Sequence, residues 1–357
     1  MQKIRICFAA VFAALLGHVS SGPASAEECG PLKIVASVDL RMAGDDRAAF
    51  VPITLQGQTR YMLLDTGGMM SFITPGTVAE LGLESVKNAQ LRFYDVKGNY
   101  VDHTTVVPDF AIGDLKGHNV EFVIGPPDML AGNKDIAGIL GPGILRFYDV
   151  ALDVANRKLT LLTQDHCDGK VIYWKADAVA AIPMEIARAS GHIVVPVLLD
   201  GRKLNAMIDT GATNSVLNLN AAESDFGLSA KSGPNMAIVG SLGDRGSSII
   251  YRHTFKSLDF EGIAVANPVV DIIPDLEHGR IGRPPPTGTR INDPAAEQGL
   301  PDMMIGMDIL RHLHLYIAYK EQKLYITPAS PGVAAAAASP GQPVAPPAQA
   351  ASASPAH

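Results

Sequence analysis

At 357 residues the chain is long enough for two domains. Hydrophobic residues make up 47% and charged residues 18%, a balance that suits buried cores and excludes global disorder. The net charge of −7 is modest and gives no basic face, so no nucleic-acid partner is expected.

Lys3 and Arg5 precede the apolar run Ile6–Leu16, and small and polar residues follow to Ala24-Ser25-Ala26. This reads as a secretory signal peptide with an A-x-A cleavage site. The run is too short to span a bilayer comfortably. No later stretch has about eighteen consecutive apolar residues, so no membrane span is expected in the mature chain. The positive start and Ala-rich core look bacterial, and the expected location is the periplasm or outside the cell. Cys7 leaves with the signal. Cys29 and Cys167 remain, and in an oxidising compartment they are expected to pair. Such a bridge pins the N-terminal arm to the junction between the halves. Glu27-Glu28 ahead of Cys29 argue against lipidation there.

Residues 33–40 read as a strand and Gly44-Asp45-Asp46 as a turn. Phe50–Leu55 and Arg60–Leu64 read as a hairpin that runs straight into Asp65. Ser71-Phe72-Ile73 is a short strand, and Pro75–Leu81 a short helix closed by Gly82. Leu91–Tyr94 and Tyr100–Val107 flank Val96-Lys97-Gly98-Asn99 as a hairpin, by default a surface one and otherwise a cover over a site. Ile139-Leu140-Gly141 then leads into a short helix and two closing strands. Gln164–Ala181, with the only tryptophan, Trp174, reads as a linker.

The second half repeats this order. A strand at His192–Leu198, a turn at Asp200-Gly201 and a strand at Leu204–Ile208 deliver Asp209. Ser215-Val216-Leu217, a short helix to Phe226-Gly227, and a hairpin of Met236–Val239 with Ser247–Tyr251 follow. Met304-Ile305-Gly306 again precedes a short helix and two strands. Pro274–Pro301 is a Pro/Gly-rich insertion, and the Ala/Pro/Ser-rich end cannot bury a core and is expected to be disordered. The expected domains are a signal at 1–26, a first lobe at 27–165, a linker at 166–190, a second lobe at 191–328 and a tail at 329–357.

The repetition is literal at its centre. Val51–Thr74 aligns without gaps to Val195–Asn218, with Val51/Val195, Pro52/Pro196, Asp65/Asp209, Thr66/Thr210, Gly67/Gly211 and Ser71/Ser215 identical. Leu140–Leu162 aligns to Ile305–Thr327, with Gly141/Gly306 and Arg146/Arg311 identical. The simplest account is one structural unit used twice, with a period too long for a solenoid. In each copy an apolar strand ends in Asp-Thr-Gly, so an Asp sits at the end of a rigid strand, where burying it alone is costly. Placed across an interface, the two turns bring Asp65 and Asp209 together. Carboxylates about 3 Å apart cannot both ionise and so share a proton. One then takes a proton from water while the other donates to a carbonyl oxygen. Thr66 and Thr210 have hydroxyls to tie the turns together, and Gly67 and Gly211 leave room for substrate.

With both Asp-Thr-Gly motifs and both apolar-apolar-Gly motifs in place, the chain resembles the aspartic proteases of the pepsin/retropepsin group in an exported two-lobed form. The resemblance covers about residues 48–163 and 192–327. It implies an all-β bilobal fold of two related β-barrel-like lobes with a central cleft. It also implies endopeptidase activity on an extended polypeptide, catalytic Asp65 and Asp209, and support from Thr66, Gly67, Thr210 and Gly211. No cofactor or metal is called for, and a monomer with an internal pseudo-twofold is expected. A flap carrying Tyr is typical of the group, with Tyr94, Gly98 and Tyr100 as candidates. Gly68 and Ala212 stand where pepsin-like members carry Ser or Thr. Without that hydroxyl to stabilise the ionised Asp, activity is expected to extend nearer neutral pH.

The main alternative is a non-catalytic peptide-binding protein of the cell envelope using the same cleft. An envelope assembly protein tethered by its tail has only that tail in its favour. Other motifs carry less. His312 and His314 match Phe147 and Asp149 in the first half and read as strand positions rather than a metal pair. Gly138, Gly141 and Gly143 lack phosphate-loop spacing. No zinc cluster or G-x-S-x-G is present.

Overall fold

The computed structural model describes residues 29–91, 93–94, 100–126, 129–130, 133–187, 190–229, 236–242, 248–273 and 301–330. The expected signal segment, Gly98 with its loop tip, the loop at 243–247, the insertion at 274–300 and the tail from 331 lie outside these residues.

The fold is all-β and two-lobed. The first lobe is an eight-stranded sheet. At its centre Gln58–Leu64, Ile136–Leu140, Phe72–Ile73 and Leu115–Ile124 lie side by side in that order. The second lobe places Arg202–Ile208, Met303–Ile305, Val216–Asn218 and Val269–Ile273 in the matching order. In each lobe the late apolar strand slots between the strand entering Asp-Thr-Gly and the strand leaving it. The pairing is parallel to the former and antiparallel to the latter. These central strands are rich in Ile, Leu and Met, and Leu64, Leu140, Ile208 and Ile305 are fully buried. That burial makes the floor under the site rigid.

A third sheet joins the lobes. Its order is Ile34–Asp39, Lys158–Leu162, Asp149–Asp153, Leu313–Ala318, Lys323–Pro328, Ala180–Pro183. Asp149–Asp153 and Leu313–Ala318 are the repeat-related closing strands, and they pair antiparallel with Val150 opposite Ile317. A pseudo-twofold axis therefore passes between them. Trp174 lies over this sheet, stacked on His314 with ring centroids 3.7 Å apart and donating Nε1–H to Thr327 Oγ1 at 3.1 Å. His314 is thus a packing group on the joining sheet, 3.5 Å from Asp153.

The longest hairpin was not visible in the sequence pattern. His103–Ile112 and Leu115–Ile124 each run ten residues and pair antiparallel. Lys116, His118 and Asn119 face outward, and only Phe122 and Val123 of the second strand are buried. A strand with so few apolar positions has no clear period of two.

Cys29 and Cys167 are joined by a disulfide across 138 residues. It ties the start of the described chain to the segment leaving the first lobe, beside the bond from Cys167 N–H to the Gly30 carbonyl at 3.2 Å. Cys29→Ser is expected to cost about 2–4 kcal/mol through lost constraint on the unfolded chain. A lowered denaturant midpoint, reproduced by reducing the wild type, checks this.

Candidate active site

Asp65 follows directly on Gln58–Leu64, and its backbone N–H donates to the Leu140 carbonyl at 3.0 Å. Asp209 follows Arg202–Ile208, and its N–H donates to the Ile305 carbonyl at 3.0 Å. Each acid therefore leaves its strand at the last rung of a buried parallel pair. Each loop must then cross the end of the late strand. Gly141 and Gly306 make room for that crossing, because a Cβ on either would run into loop carbonyl oxygens, of Met70 and of Asn214 and Ala212 respectively.

The two loops grip each other. Thr66 N–H donates to Thr210 Oγ1 at 3.0 Å, and Thr210 N–H donates to Thr66 Oγ1 at 3.1 Å. Thr66 Oγ1–H donates to the Ile208 carbonyl at 2.8 Å, and Thr210 Oγ1–H to the Leu64 carbonyl at 3.0 Å. Thr66 and Thr210 are 1% and 0% exposed, so all four bonds are shielded from water. Buried and mutually satisfied, they lock the seam in one register.

The carboxyls of Asp65 and Asp209 meet across this seam, close enough for each to shift the other's protonation. A Cβ on Gly67 would overlap the Asp209 carboxylate, and one on Gly211 would overlap that of Asp65. Each glycine thus admits the acid of the opposite lobe. Burial and then the neighbouring Asp209 push the Asp65 pKa up to about 7, against N–H groups of Gly68 and Gly67 that favour the anion. Burial also raises Asp209. Its Oδ1 accepts from Gly211 N–H at 2.9 Å and Ala212 N–H at 3.1 Å, which offsets part of the rise. Both acids are thus shifted upward, so the pair retains a proton into milder pH than a free carboxyl.

The structure thus brings together Asp65, Thr66, Gly67, Asp209, Thr210 and Gly211. Tyr94 and Tyr100 pair with each other in a separate two-stranded ribbon. Two kinds of residue near the site went unassigned in the sequence. Ser71 Oγ accepts from Gly141 N–H at 3.1 Å and donates to the Gly141 carbonyl at 3.2 Å. Ser215 Oγ accepts from Gly306 N–H at 2.9 Å and donates to Asp308 Oδ1 at 2.6 Å. Their identity at matching repeat positions was the available signal. The other is His192, whose half-buried ring lies near Asp209. Its matching position holds Ala48, so the signal was a difference between copies.

A family profile described as aspartyl protease matches residues 51–142 and 195–309, together more than half of the chain. No curated protein matches the chain. Similar solved structures include an aspartic proteinase from Irpex lacteus, at 14% identity and a TM-score of 0.48, covering 84% of this chain and 99% of that one. Basic 7S globulin from soybean shows 10% identity and a TM-score of 0.47, with 83% and 95% covered. Conglutin gamma from lupine seeds shows 12% identity and a TM-score of 0.46, again with 83% and 95% covered. Each segment matched by the profile holds one Asp-Thr-Gly turn, the late strand packed beside it and the start of the short helix that follows, and on that match the chain belongs to the aspartyl protease family.

Proposed function

We propose that the chain is an exported aspartic endopeptidase that hydrolyses peptide bonds in extended polypeptides, using water activated between Asp65 and Asp209. The observation that supports this most is the facing pair of carboxyls, Asp65 half-buried and Asp209 buried, on two turns locked by four reciprocal threonine bonds. Export accords with the disulfide and with the signal-like start of the sequence. No helix among the described residues is long and apolar enough to cross a membrane.

Asp209 as anion takes a proton from water as the water oxygen bonds to the peptide carbon. Asp65 gives its proton to the carbonyl oxygen. The tetrahedral diol then collapses: Asp209 returns its proton to the leaving nitrogen, the C–N bond breaks, and a diol hydroxyl reprotonates Asp65. The pair ends with its one proton where it began, so no external acid or base is consumed. Both carboxyls are fixed before substrate arrives, which lowers the reorganisation needed in the transition state.

The test is incubation of the purified mature protein with unfolded polypeptide in ¹⁸O-water across pH. Internal cuts are expected, each new C-terminus carrying one ¹⁸O from solvent. The rate is expected to hold through mildly acid pH and to fall above about 7, where Asp65 loses its proton. Ala212→Ser supplies a hydroxyl beside Asp209 and is expected to move the active range toward acid. Binding of the polypeptide without any cut at any pH would instead favour a peptide-holding protein.

A further inference from the structure

A cavity of about 270 Å³ opens where the turn carrying Asp209 ends. Asn214 of that turn lines it, with Arg47 from the first lobe and Arg252, Asp271, Asp308 and Arg311 from the second. The cavity hangs on the turn itself. Met307 N–H donates to the Ala212 carbonyl at 2.8 Å, and Asp308 N–H to the Thr213 carbonyl at 3.2 Å. The short helix Met307–Leu310 and Arg311 behind it are thereby pinned beside the Asp209 turn.

Three guanidinium groups face two carboxylates here, and the carboxylates are already engaged. Arg252 grips Asp271 with Nε at 2.6 Å and Nη2 at 2.9 Å, and Asn214 Nδ2 adds a bond at 3.2 Å. Asp308 Oδ1 accepts from Ser215 Oγ–H at 2.6 Å and from Ile309 N–H at 2.9 Å. Arg47 and Arg311 find only neutral oxygens among the described residues. Arg47 Nη1 donates to Asn214 Oδ1 at 3.1 Å, and Arg311 Nη1 to the Asp45 backbone carbonyl at 2.8 Å. Asp46, next to Arg47, turns instead to Arg157 at 3.4 Å. The Nε groups of Arg47 and Arg311 are buried with no acceptor among the described residues, so the protein leaves both charges under-compensated.

The first lobe has no such cavity chemistry. The repeat positions of Asn214 and Asp308 hold Met70 and Gly143. Arg146, the counterpart of Arg311, is exposed and lies over the Phe147 ring, 5.3 Å from its centroid.

We propose that this cavity is a substrate subsite that takes the carboxylate side chain of an Asp or Glu in the bound polypeptide. This rests on the reading of the two-lobed site as the seat of a polypeptide. The volume lies below the range of about 300–1,000 Å³ usual for free drug-sized ligands, and suits one side chain. Guanidinium forks match carboxylate geometry and form its stronger hydrogen bonds. From Asp209 to Asn214 the chain spans at most about 18 Å, which puts the acid within about five residues of the bond facing the dyad. Because only the second lobe is so equipped, the acid is read on one side of that bond alone, and the pseudo-symmetric site gains a direction.

The test has two arms, each using a randomised peptide library. In one the library is selected for binding to immobilised Asp65→Asn; in the other it is digested by wild type. Asp and Glu are expected to be enriched about tenfold over Asn and Gln at one position on one side, and less so at high salt. Arg47→Gln, made in both backgrounds, is expected to erase that enrichment, and Arg47→Glu to replace it with Lys and Arg. A merely structural arginine would not exchange the preferred charge. Should the Arg47 variants fail to fold, Arg311→Gln is expected to weaken the same position. Absence of an acidic position in both arms, or one that persists undiminished in Arg47→Gln, overturns the inference. The arms separate the two readings. Acidic peptides selected by a protein that never cuts defeat the catalytic reading and uphold the subsite, whereas cutting without acidic preference does the reverse.

Discussion

Asp209→Asn is expected to lower kcat by at least about 10³-fold, the usual scale for losing a positioned acid–base group. That corresponds to about 4 kcal/mol of transition-state stabilisation. The local structure should survive, because the amide oxygen can still accept from Gly211 and Ala212 N–H in place of Oδ1. The amide cannot take a proton from water. Its removal of charge has a second consequence. Asp65 is raised by burial and by Asp209, so the substitution is expected to bring the Asp65 midpoint down from about 7. The sign for stability follows. A carboxyl whose folded pKa lies above its unfolded value lowers stability as pH rises through the window between them. The wild type carries that penalty near neutral pH and Asp209→Asn carries less of it, so the variant is expected to melt no lower than wild type at pH 7. Asp65→Asn is expected to be equally inactive. Cleavage rates beside thermal melts of all three proteins check both statements, and an Asn variant that cleaves at the wild-type rate removes the dyad from the mechanism.

Asp149→Ala is expected to destabilise the joining sheet by about 3–5 kcal/mol, the range for breaking a buried charge pair by removing one partner. Asp149 is fully buried at the centre of that sheet. Its Oδ2 meets His166 Nε2 at 2.6 Å and accepts from Tyr316 OH at 3.1 Å, while Oδ1 accepts from Tyr319 N–H at 3.1 Å. His166 Nδ1 lies 3.3 Å from the Cys167 carbonyl and 3.8 Å from Glu321. With acceptors on both sides the ring is held as a cation. Truncating Asp149 strands three donors, none of which water reaches easily. The pH dependence has a definite sign. Burial opposes charge on His166, yet the bond to Asp149, the Cys167 carbonyl and nearby Glu321 raise its pKa overall. Burial raises Asp149 as well, against the His166, Tyr316 and Tyr319 bonds. Both groups therefore bind protons more tightly folded than unfolded. Stability from His166 is complete below its ordinary pKa and is lost as pH rises through the folded value. The cost of Asp149→Ala should accordingly be larger at pH 6 than at pH 9, as read from urea midpoints. Equal midpoints for variant and wild type at pH 6 would show that the pair does not stabilise the junction.

Much of the site was legible because its chemistry is local. Met62-Leu63-Leu64-Asp65-Thr66-Gly67 states a buried strand, an acid and a close-approach turn within a few residues, and Ala206–Gly211 states it again. Ile139-Leu140-Gly141 and Met304-Ile305-Gly306 were legible for the same reason, since a glycine after an apolar run marks where another backbone must pass. Less was readable where a segment lacks an apolar period. Leu115–Ile124 forms a full strand with only two of its ten residues buried, held by pairing with His103–Ile112 rather than by its own pattern. The segment before the second lobe looked like a connector, yet it contributes Ala180–Pro183 to the joining sheet and Trp174 to its cover.

The amino-acid order by itself determined two copies of a β-rich unit, an acid delivered by each, and a cysteine at either end of the first. Those features depend on side-chain period, turn chemistry and composition, all of which act between neighbours along the chain. Tertiary structure decided that Thr66 and Thr210 exchange bonds across 144 residues, and that burial at the seam lifts the pKa of both Asp65 and Asp209. It also decided that His166 and Asp149 close a buried pair at the joint. The reason is that a proton's position depends on burial and on charges brought within a few ångströms, and only the pseudo-twofold packing of the two lobes sets those distances.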